Sequence, residues 1–252
     1  MVGSGDMHNL MPLQYGIVSY IDELAQAFLV TLELYFVGLV LGFIMGLTFA
    51  IMRQFGGRVL SRIATGYIEV IRGTPLITQV LLVYAIPVAI NAAGIADLPL
   101  NWYFYYIDSQ NRIAVTLNWP ILASMLGLGI NSAAYQAEYM RGGFASITSG
   151  QLRAASSIGM TRWQSIRYII LPQGLRRSIP AWSNEAAYLP KYTVVAIWVG
   201  VMEILNMSKT VIARTFLSVE MYLILAIIFF VFITAINKVL EITHSRTKIP
   251  GV

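Results

Sequence analysis

Long apolar runs constrain the fold of this 252-residue chain more than any other feature of its sequence. A helix needs about 20 mostly apolar residues to cross the hydrocarbon core of a bilayer. Five stretches meet this requirement, at residues 24–52, 63–90, 119–140, 179–205 and 216–240. Composition agrees, because only 12% of the residues are charged, whereas soluble domains average about 25%. We therefore predict an all-α polytopic membrane protein with a core of five transmembrane helices.

The distribution of Lys and Arg predicts the orientation of these helices. Of the 17 basic residues, twelve flank the spans on one side of the membrane and three lie on the other side, while Arg72 and Lys191 fall inside spans. The positive-inside rule places the richer side in the cytoplasm. We expect the N-terminus outside, the C-terminus in the cytoplasm, and one transmembrane domain over residues 1–252.

Several chemistries are excluded by composition. The chain has no cysteine, which rules out disulfides and thiolate metal sites. The two histidines, His8 and His244, lie outside the apolar runs, so they cannot hold haem inside a helix bundle. A phosphate-binding G-x-x-x-x-G-K-[ST] loop is missing. We predict no catalytic residue, metal or cofactor on this chain, and no nucleic acid partner.

Polar side chains recur at helical spacing in the second, third and fourth spans. A charge at the centre of a bilayer helix costs about 2.5–3.5 kcal/mol and normally faces the bundle interior or a water-filled cavity. The residues predicted to line a solute path are Glu69, Arg72, Gln79, Asn131, Tyr135, Glu138, Asn184, Tyr188 and Lys191. Both signs of charge suit the two ends of an amino acid, and they suit other zwitterions equally well. The alternative is structural, with Glu69 paired to Arg72 and Glu138 paired to Arg141.

Prolines and glycines predict how these spans are shaped. Proline removes a backbone hydrogen bond, so we expect helix breaks at Pro75, Pro87, Pro180 and Pro190. Broken helices near the membrane midplane often form solute sites. In the first span, three glycines at four-residue spacing predict close contact with another helix; they are Gly38, Gly42 and Gly46.

The inner loop at residues 142–178 is the most specific segment. We predict a short helix over residues 150–158, stopped by Gly159, and a second helix over residues 163–170, ended by Pro172. Such a helical elbow suits docking onto a soluble partner. The alternative is an ordinary basic loop near lipid headgroups.

This segment resembles the EAA loop of ABC importer permeases, whose pattern is E-A-A, three residues, G, nine residues, I-x-L-P. The matching positions are Ala154, Ala155, Gly159, Ile169, Leu171 and Pro172. Arg153 stands where the family usually has Glu. The resemblance implies that the loop couples the spans to an ATP-binding subunit through Leu152, Arg153, Ala154, Ala155, Gly159 and Met160.

Other segments resemble the permeases for polar amino acids. Residues 69–76 look like their E-x-x-R-G-T-P-L, and residues 134–143 look like their A-Y-x-A-E-x-x-R-G-G. In the fourth span Asn184, Glu185 and Lys191 match, although Tyr192 replaces the usual Asp. The resemblance covers about residues 20–240.

The resemblance implies the permease subunit of an ATP-driven amino acid importer in a prokaryotic cell membrane, working by alternating access. Its implied partners are two ATP-binding subunits, a second permease copy or paralogue, an extracytoplasmic solute-binding protein, an amino acid and membrane lipid. Three alternatives stay open: a secondary transporter, an ABC importer for another solute, and an anchor subunit of a membrane enzyme. Aromatic residues 102–106 in the outer loop are interpreted as a membrane-surface anchor or as a docking surface.

Overall fold

The computed structural model describes residues 16–98, 103–107, 114–147 and 149–247. A 3-10 turn at Ile17–Tyr20 is the first element of the described residues. The main elements are, in order, α1 (Ile21–Phe55), α2 (Gly57–Arg72), α3 (Leu76–Ala92), β1 (Tyr103–Ile107), β2 (Ala114–Asn118), α4 (Trp119–Ala145), α5 (Ser149–Ser157), α6 (Arg162–Ser165), α7 (Leu171–Tyr192), α8 (Ile204–Thr215) and α9 (Ser218–Thr247). A π-helical turn at Ile166–Ile170 precedes α7, and a 3-10 helix at Thr193–Val199 follows it.

The architecture is all-α, as predicted, with one small addition. The predicted outer loop contains an antiparallel hairpin, in which Tyr103 pairs with Asn118 and Ile107 pairs with Ala114. Of the aromatic run at residues 102–106, residue 102 lies outside the described residues, and the rest belongs to strand β1.

Helix α4 lies at the centre of the described bundle and has buried residues along its whole length. Helix α1 packs parallel to it, because Gly38 contacts Leu128 and, two turns later, Gly46 contacts Gln136. A Cβ added at Gly46 would lie 2.9 Å from the Gln136 Cβ and 3.0 Å from the Ala133 carbonyl oxygen. The close approach predicted from the glycine run is therefore confirmed.

The other long helices alternate in direction around α4. Helix α3 packs antiparallel to α4, since Gln79 contacts Asn131 and the next turns of α3 approach the start of α4, where the Trp119 indole donates to the Tyr84 carbonyl oxygen. Helix α7 is also antiparallel to α4. Helix α9 runs parallel to α1, because Ile224 lines a pocket with Leu24 and, two turns later, Phe232 packs edge-on against Tyr35.

Length and composition alone mark two stretches of the described chain as membrane-spanning, Ile17–Phe55 and Ser218–Thr243. Two bent pairs also pass this test: α2 with α3, bent by 108°, and Arg162–Val199 with α8, bent by 59°. Helix α4 was predicted as a clear span, but it does not pass. The reason is that α4 is surrounded by protein rather than lipid, so polar residues such as Ser132 and Gln136 are buried along it.

Three of the four predicted proline breaks are wrong. Pro75 does separate α2 from α3. Pro87, however, lies inside α3, and both Pro180 and Pro190 lie inside α7. Membrane helices tolerate proline where neighbouring helices and local helix adjustments satisfy the freed backbone groups. The break in the fourth span comes later, at Gly200, whose φ of 83° ends the 3-10 helix.

The inner loop is partly as predicted. Helix α5 ends just before Gly159, whose φ of 82° is a left-handed conformation that suits glycine, so the predicted helix and its stop are confirmed. The second prediction is wrong, because Pro172 does not end a helix. It is the second residue of α7 and directly follows the π-helical turn, and local adjustments of this kind satisfy the backbone groups that a proline frees. The π-helical turn at Ile166–Ile170 joins α6 to α7 without interruption.

Candidate solute path and coupling surface

The turn between α2 and α3 is held by one side chain, that of Gln79. Its amide nitrogen donates to the Ile71 carbonyl oxygen at 2.7 Å, to the Thr74 carbonyl oxygen at 3.1 Å and to the Thr74 hydroxyl at 2.8 Å. Its amide oxygen accepts from the Asn131 side chain of α4 at 2.9 Å. Gln79 and Asn131 are both buried. Their amides therefore fix the broken helix against α4.

Arg72 ends α2 at this turn, and it is exposed. Its guanidinium lies over the Tyr135 ring of α4, 5.2 Å from the ring centre, which is a favourable cation–π distance. Glu69, one turn earlier, is exposed and forms no ion pair with Arg72 in the described structure. The structural alternative of a Glu69–Arg72 pair is therefore wrong, and the structure brings Arg72 to Tyr135 instead.

A second polar surface lies on α7. Asn184, Tyr188 and Lys191 are exposed and follow one another at helical spacing. The Lys191 ammonium lies over the Tyr188 ring, 4.8 Å from its centre. The two cations predicted inside spans, Arg72 and Lys191, thus each lie over a tyrosine ring. A bound anion could displace either cation from its ring at modest cost.

Glu138 is placed differently from the other predicted path residues. Its carboxylate bonds to Arg53, from the last turn of α1, and its other oxygen lies 3.0 Å from Arg141. The predicted structural alternative, a pair with Arg141, is confirmed. Two cations share one carboxylate at the ends of two parallel helices, so this cluster ties α1 to α4.

Three ionisable residues lie near the predicted path but were not assigned to it. Tyr139 was missed by reasoning from the sequence, whereas Glu185 and Tyr192 were named only as positions of the family resemblance. Tyr139 lies within electrostatic range of Arg72, Glu185, Tyr135 and Tyr192. Glu185 is only 2% exposed, and its carboxylate accepts from the Ser132 hydroxyl at 2.7 Å. The available signal was spacing, since Tyr139 and Tyr192 each follow another tyrosine by four residues.

Among the described residues no group of three His, Cys, Asp or Glu side chains could hold a metal ion. The exposed members of the predicted path form two groups. One lies around Arg72, above the half-buried Tyr135 of α4, and the other lies around Lys191 on α7.

The inner elbow presents an exposed apolar surface. Ala155 is buried and Leu152 is half-buried, so this face of α5 packs on the protein. On the other side, Ile158 is 77% exposed and Trp163 is 70% exposed. Of the other predicted coupling residues, Arg153, Ala154 and Gly159 are exposed and Met160 is half-buried. The Thr161 side chain and Gln164 form a reciprocal cap that starts α6 and shapes the elbow.

Comparison with known families identifies the class of protein. The model of the family described as "Binding-protein-dependent transport system inner membrane component" matches residues 38–249, and the chain belongs to this family. It is thus a multi-pass inner-membrane permease subunit of an ABC importer, and the ATPase of such importers is a separate subunit.

Individual relatives show which members of this family the chain is similar to. The chain is 29% identical to the nopaline transport permease NocM of Agrobacterium fabrum, over 93% of this chain and 94% of the relative. It is 33% identical to the glutamine transport permease GlnP of Escherichia coli K12, over 87% of this chain and 90% of the relative. The predicted resemblance to permeases of the polar amino acid branch is confirmed.

The chain is also similar in structure to solved chains of ABC transporters. The chain superposes on a structure described as an amino acid ABC transporter with histidines, with a TM-score of 0.74 and 30% identity, covering 91% of this chain and 96% of the other. It also shares the fold of a chain of the MetNI methionine ABC transporter, with a TM-score of 0.69 at 16% identity, covering 94% and 100% of the two chains.

Proposed function

We propose that this permease carries an amino acid through the inner membrane by alternating access, along a path lined by exposed polar side chains of α2, α4 and α7. The observation that carries the proposal is the exposure of Arg72, Asn184 and Lys191 at membrane depth, where an unpartnered charge is costly unless it faces water or solute. Support comes from relatives whose names specify glutamine, opine and cystine transport.

Five crossings with an outer N-terminus are the topology that we propose. Helices α1, α4 and α9 run in one direction, and α3 and α7 run in the other. This alternation supports one crossing for each of the five helices. The concentration of Arg at the ends of α1 and α4 and at the start of α7 supports a cytoplasmic location for those ends.

Solute contact is assigned to the exposed members of the predicted set and to the half-buried tyrosine under Arg72. They are Glu69, Arg72, Tyr135, Asn184, Tyr188 and Lys191. The Gln79 amide bonds to the turn and to the Asn131 amide, and the Glu138 carboxylate forms ion pairs with two arginines. We therefore give these three residues a scaffold role. A carboxylate of the solute would meet Arg72 or Lys191, and its ammonium would meet Glu69.

The assembly that we propose has two permease chains, two ATP-binding subunits and an external solute-binding protein. The inner elbow, with exposed Ile158 and Trp163, provides an apolar surface for the ATPase, and exposed large apolar side chains at a water-facing site commonly mark an interface. ATP binding would move this elbow and thereby shift the spans between outward-open and inward-open states, provided that the ATPase binds the two states with different affinity.

The path is tested by uptake of radiolabelled amino acids into vesicles that contain the reconstituted importer. Arg72→Met and Lys191→Met should each lower solute-stimulated uptake by about tenfold or more, because each removes a charge-assisted contact. Arg58→Met, an exposed arginine at the start of α2, is the matched control and should leave uptake unchanged. Normal uptake by both path variants would refute the assignment.

Coupling is tested at Gly159. A β-branched residue is strained at its φ of 82°, whereas asparagine tolerates the left-handed region. Gly159→Val should therefore uncouple ATP hydrolysis from transport, and Gly159→Asn should retain most of the coupling. The measurement is the ratio of solute imported to ATP hydrolysed, and equal ratios for the two variants would contradict the role of the elbow.

A further inference from the structure

A groove of about 250 Å³ opens where α1, α4 and α7 meet, away from the path. Phe43 and Met140 form its walls together with Leu175, Ile179 and Trp182 of α7, and Arg176 also lines it. Arg176 and Trp182 are six residues apart on α7, so the groove extends about 9 Å along the helix at 1.5 Å per residue. It is an apolar channel with a guanidinium at one end.

The groove faces the opposite way from the polar surface of α7. At 100° per residue, Ile179 and Trp182 lie on one side of the helix, whereas Tyr188 and Lys191 lie on the other side. The neighbouring surface of α1 exposes apolar side chains such as Val40 and Ile44. At membrane depth, a surface of this composition is in contact with acyl chains.

The charge at the groove has no protein partner. Arg176 is exposed and makes no hydrogen bond, ion pair or ring contact within the described part of the chain. The guanidinium of the next residue, Arg177, donates to the Ser146 carbonyl oxygen at 2.8 Å, while its buried Nε has no partner in the described structure. Nearby, Arg53 and Arg141 share the single carboxylate of Glu138, which leaves one positive charge in excess.

We propose that this groove binds an anionic phospholipid of the cytoplasmic leaflet, with one acyl chain along the apolar walls and the phosphate at Arg176. Basic pockets between membrane helices on the cytoplasmic side are suited to anionic headgroups. Arginine matches phosphate geometry with two parallel hydrogen bonds. A zwitterionic lipid offers the same phosphate but carries its own ammonium, so it gains less from the surrounding positive charge. The site is independent of the solute path.

The test uses the purified importer complex, delipidated in detergent and titrated with dioleoyl phosphatidylglycerol or dioleoyl phosphatidylcholine, with native mass spectrometry as the readout of bound lipid. The wild-type complex should retain phosphatidylglycerol about tenfold more strongly than phosphatidylcholine. Arg176→Gln should remove this preference, and Arg176→Lys should keep part of it. Arg58→Gln is the matched control, since it removes a positive charge from an exposed site at the start of α2.

A second variant tests the apolar half of the site. Ile179→Trp fills the groove and should weaken retention of both lipids, while the thermal midpoint of the complex shows whether the variant is folded. Equal retention of the two lipids by the wild type would overturn the proposal, as would unchanged phosphatidylglycerol retention in Arg176→Gln. Competition by inorganic phosphate alone at millimolar concentration would identify a simple anion site and would also overturn it.

Discussion

The close contact between α1 and α4 predicts that a larger residue at Gly46 destabilises the protein. This contact is the most extensive interface between helices in the described structure. An alanine Cβ at position 46 would lie 2.9 Å from the Gln136 Cβ and 3.0 Å from the Ala133 carbonyl oxygen, about 0.5 Å inside ordinary contact distance. The obstructing atoms belong to or adjoin the backbone of α4, so no side-chain rotation can relieve the clash. The two helices must separate instead.

Overpacking of this kind costs about 1–3 kcal/mol, and the backbone contact places Gly46→Ala near 2 kcal/mol. For a chain of this size, about 1 kcal/mol corresponds to a shift of roughly 2–4 °C in thermal midpoint, so we expect a drop of about 4–8 °C. Intrinsic tryptophan fluorescence of the purified complex measures it. Gly66→Ala in α2 is the matched control, because nothing lies within 4 Å of the added Cβ.

In the control, alanine replaces a glycine inside an exposed helix and should stabilise it by up to about 1 kcal/mol. The two glycine-to-alanine changes are therefore expected to shift the midpoint in opposite directions. If Gly46→Ala raises the midpoint as Gly66→Ala does, helix propensity outweighs packing, and α1 and α4 are not in the close contact described here.

Three further substitutions test other features of the fold. Glu138→Gln leaves Arg53 and Arg141 without their shared carboxylate and should cost about 1–2 kcal/mol, between the values for exposed and buried pairs; an unchanged thermal midpoint would contradict this. Glu203→Ala removes the carboxylate that accepts from two backbone N–H groups at the start of α8, so hydrogen exchange there should accelerate, at a cost of about 1–2 kcal/mol. Phe216→Gly relieves a left-handed residue with a φ of 59° that is 78% exposed and should add about 1 kcal/mol; a lower midpoint would show that the Phe216 ring packs against something else.

Features that depend on local sequence were predictable. The apolar runs predicted α1 and α9, the glycine spacing predicted the contact of α1 with α4, and Gly159 predicted the end of α5. Each of these depends on a periodicity or a backbone preference within a few residues. The family pattern in the inner loop was recognisable for the same reason.

The partners of the polar residues were not predictable in this way. Gln79 bonds to a residue 52 positions later, and Arg53 bonds to a residue 85 positions later. Periodicity shows that these side chains share a helical face, but it cannot show whether that face meets water or another amide. The proposed division into solute-facing and scaffold residues therefore needed the tertiary structure.

The interior prolines show a second limit. Pro180 and Pro87 have the same local effect as Pro75, yet only Pro75 separates two helices. What distinguishes Pro75 is the Gln79 side chain, which bonds to the turn before it. Proline weakens the helix at each of these positions, but the tertiary contacts around it determine whether the helix ends there.

The bend of 108° between α2 and α3 has a mechanical consequence. Because the Gln79 amide holds α2 and α3 together at the turn, we expect the two helices to move as one rigid angled unit with Arg72 at the corner. Helix α2 packs against the inner elbow, where Ile68 shares a buried cluster with Ile166 and Ile170. A sideways push on α2 from the cytoplasm would be converted into a tilt of α3, and the Arg72 guanidinium would move through the region that we propose as the solute path.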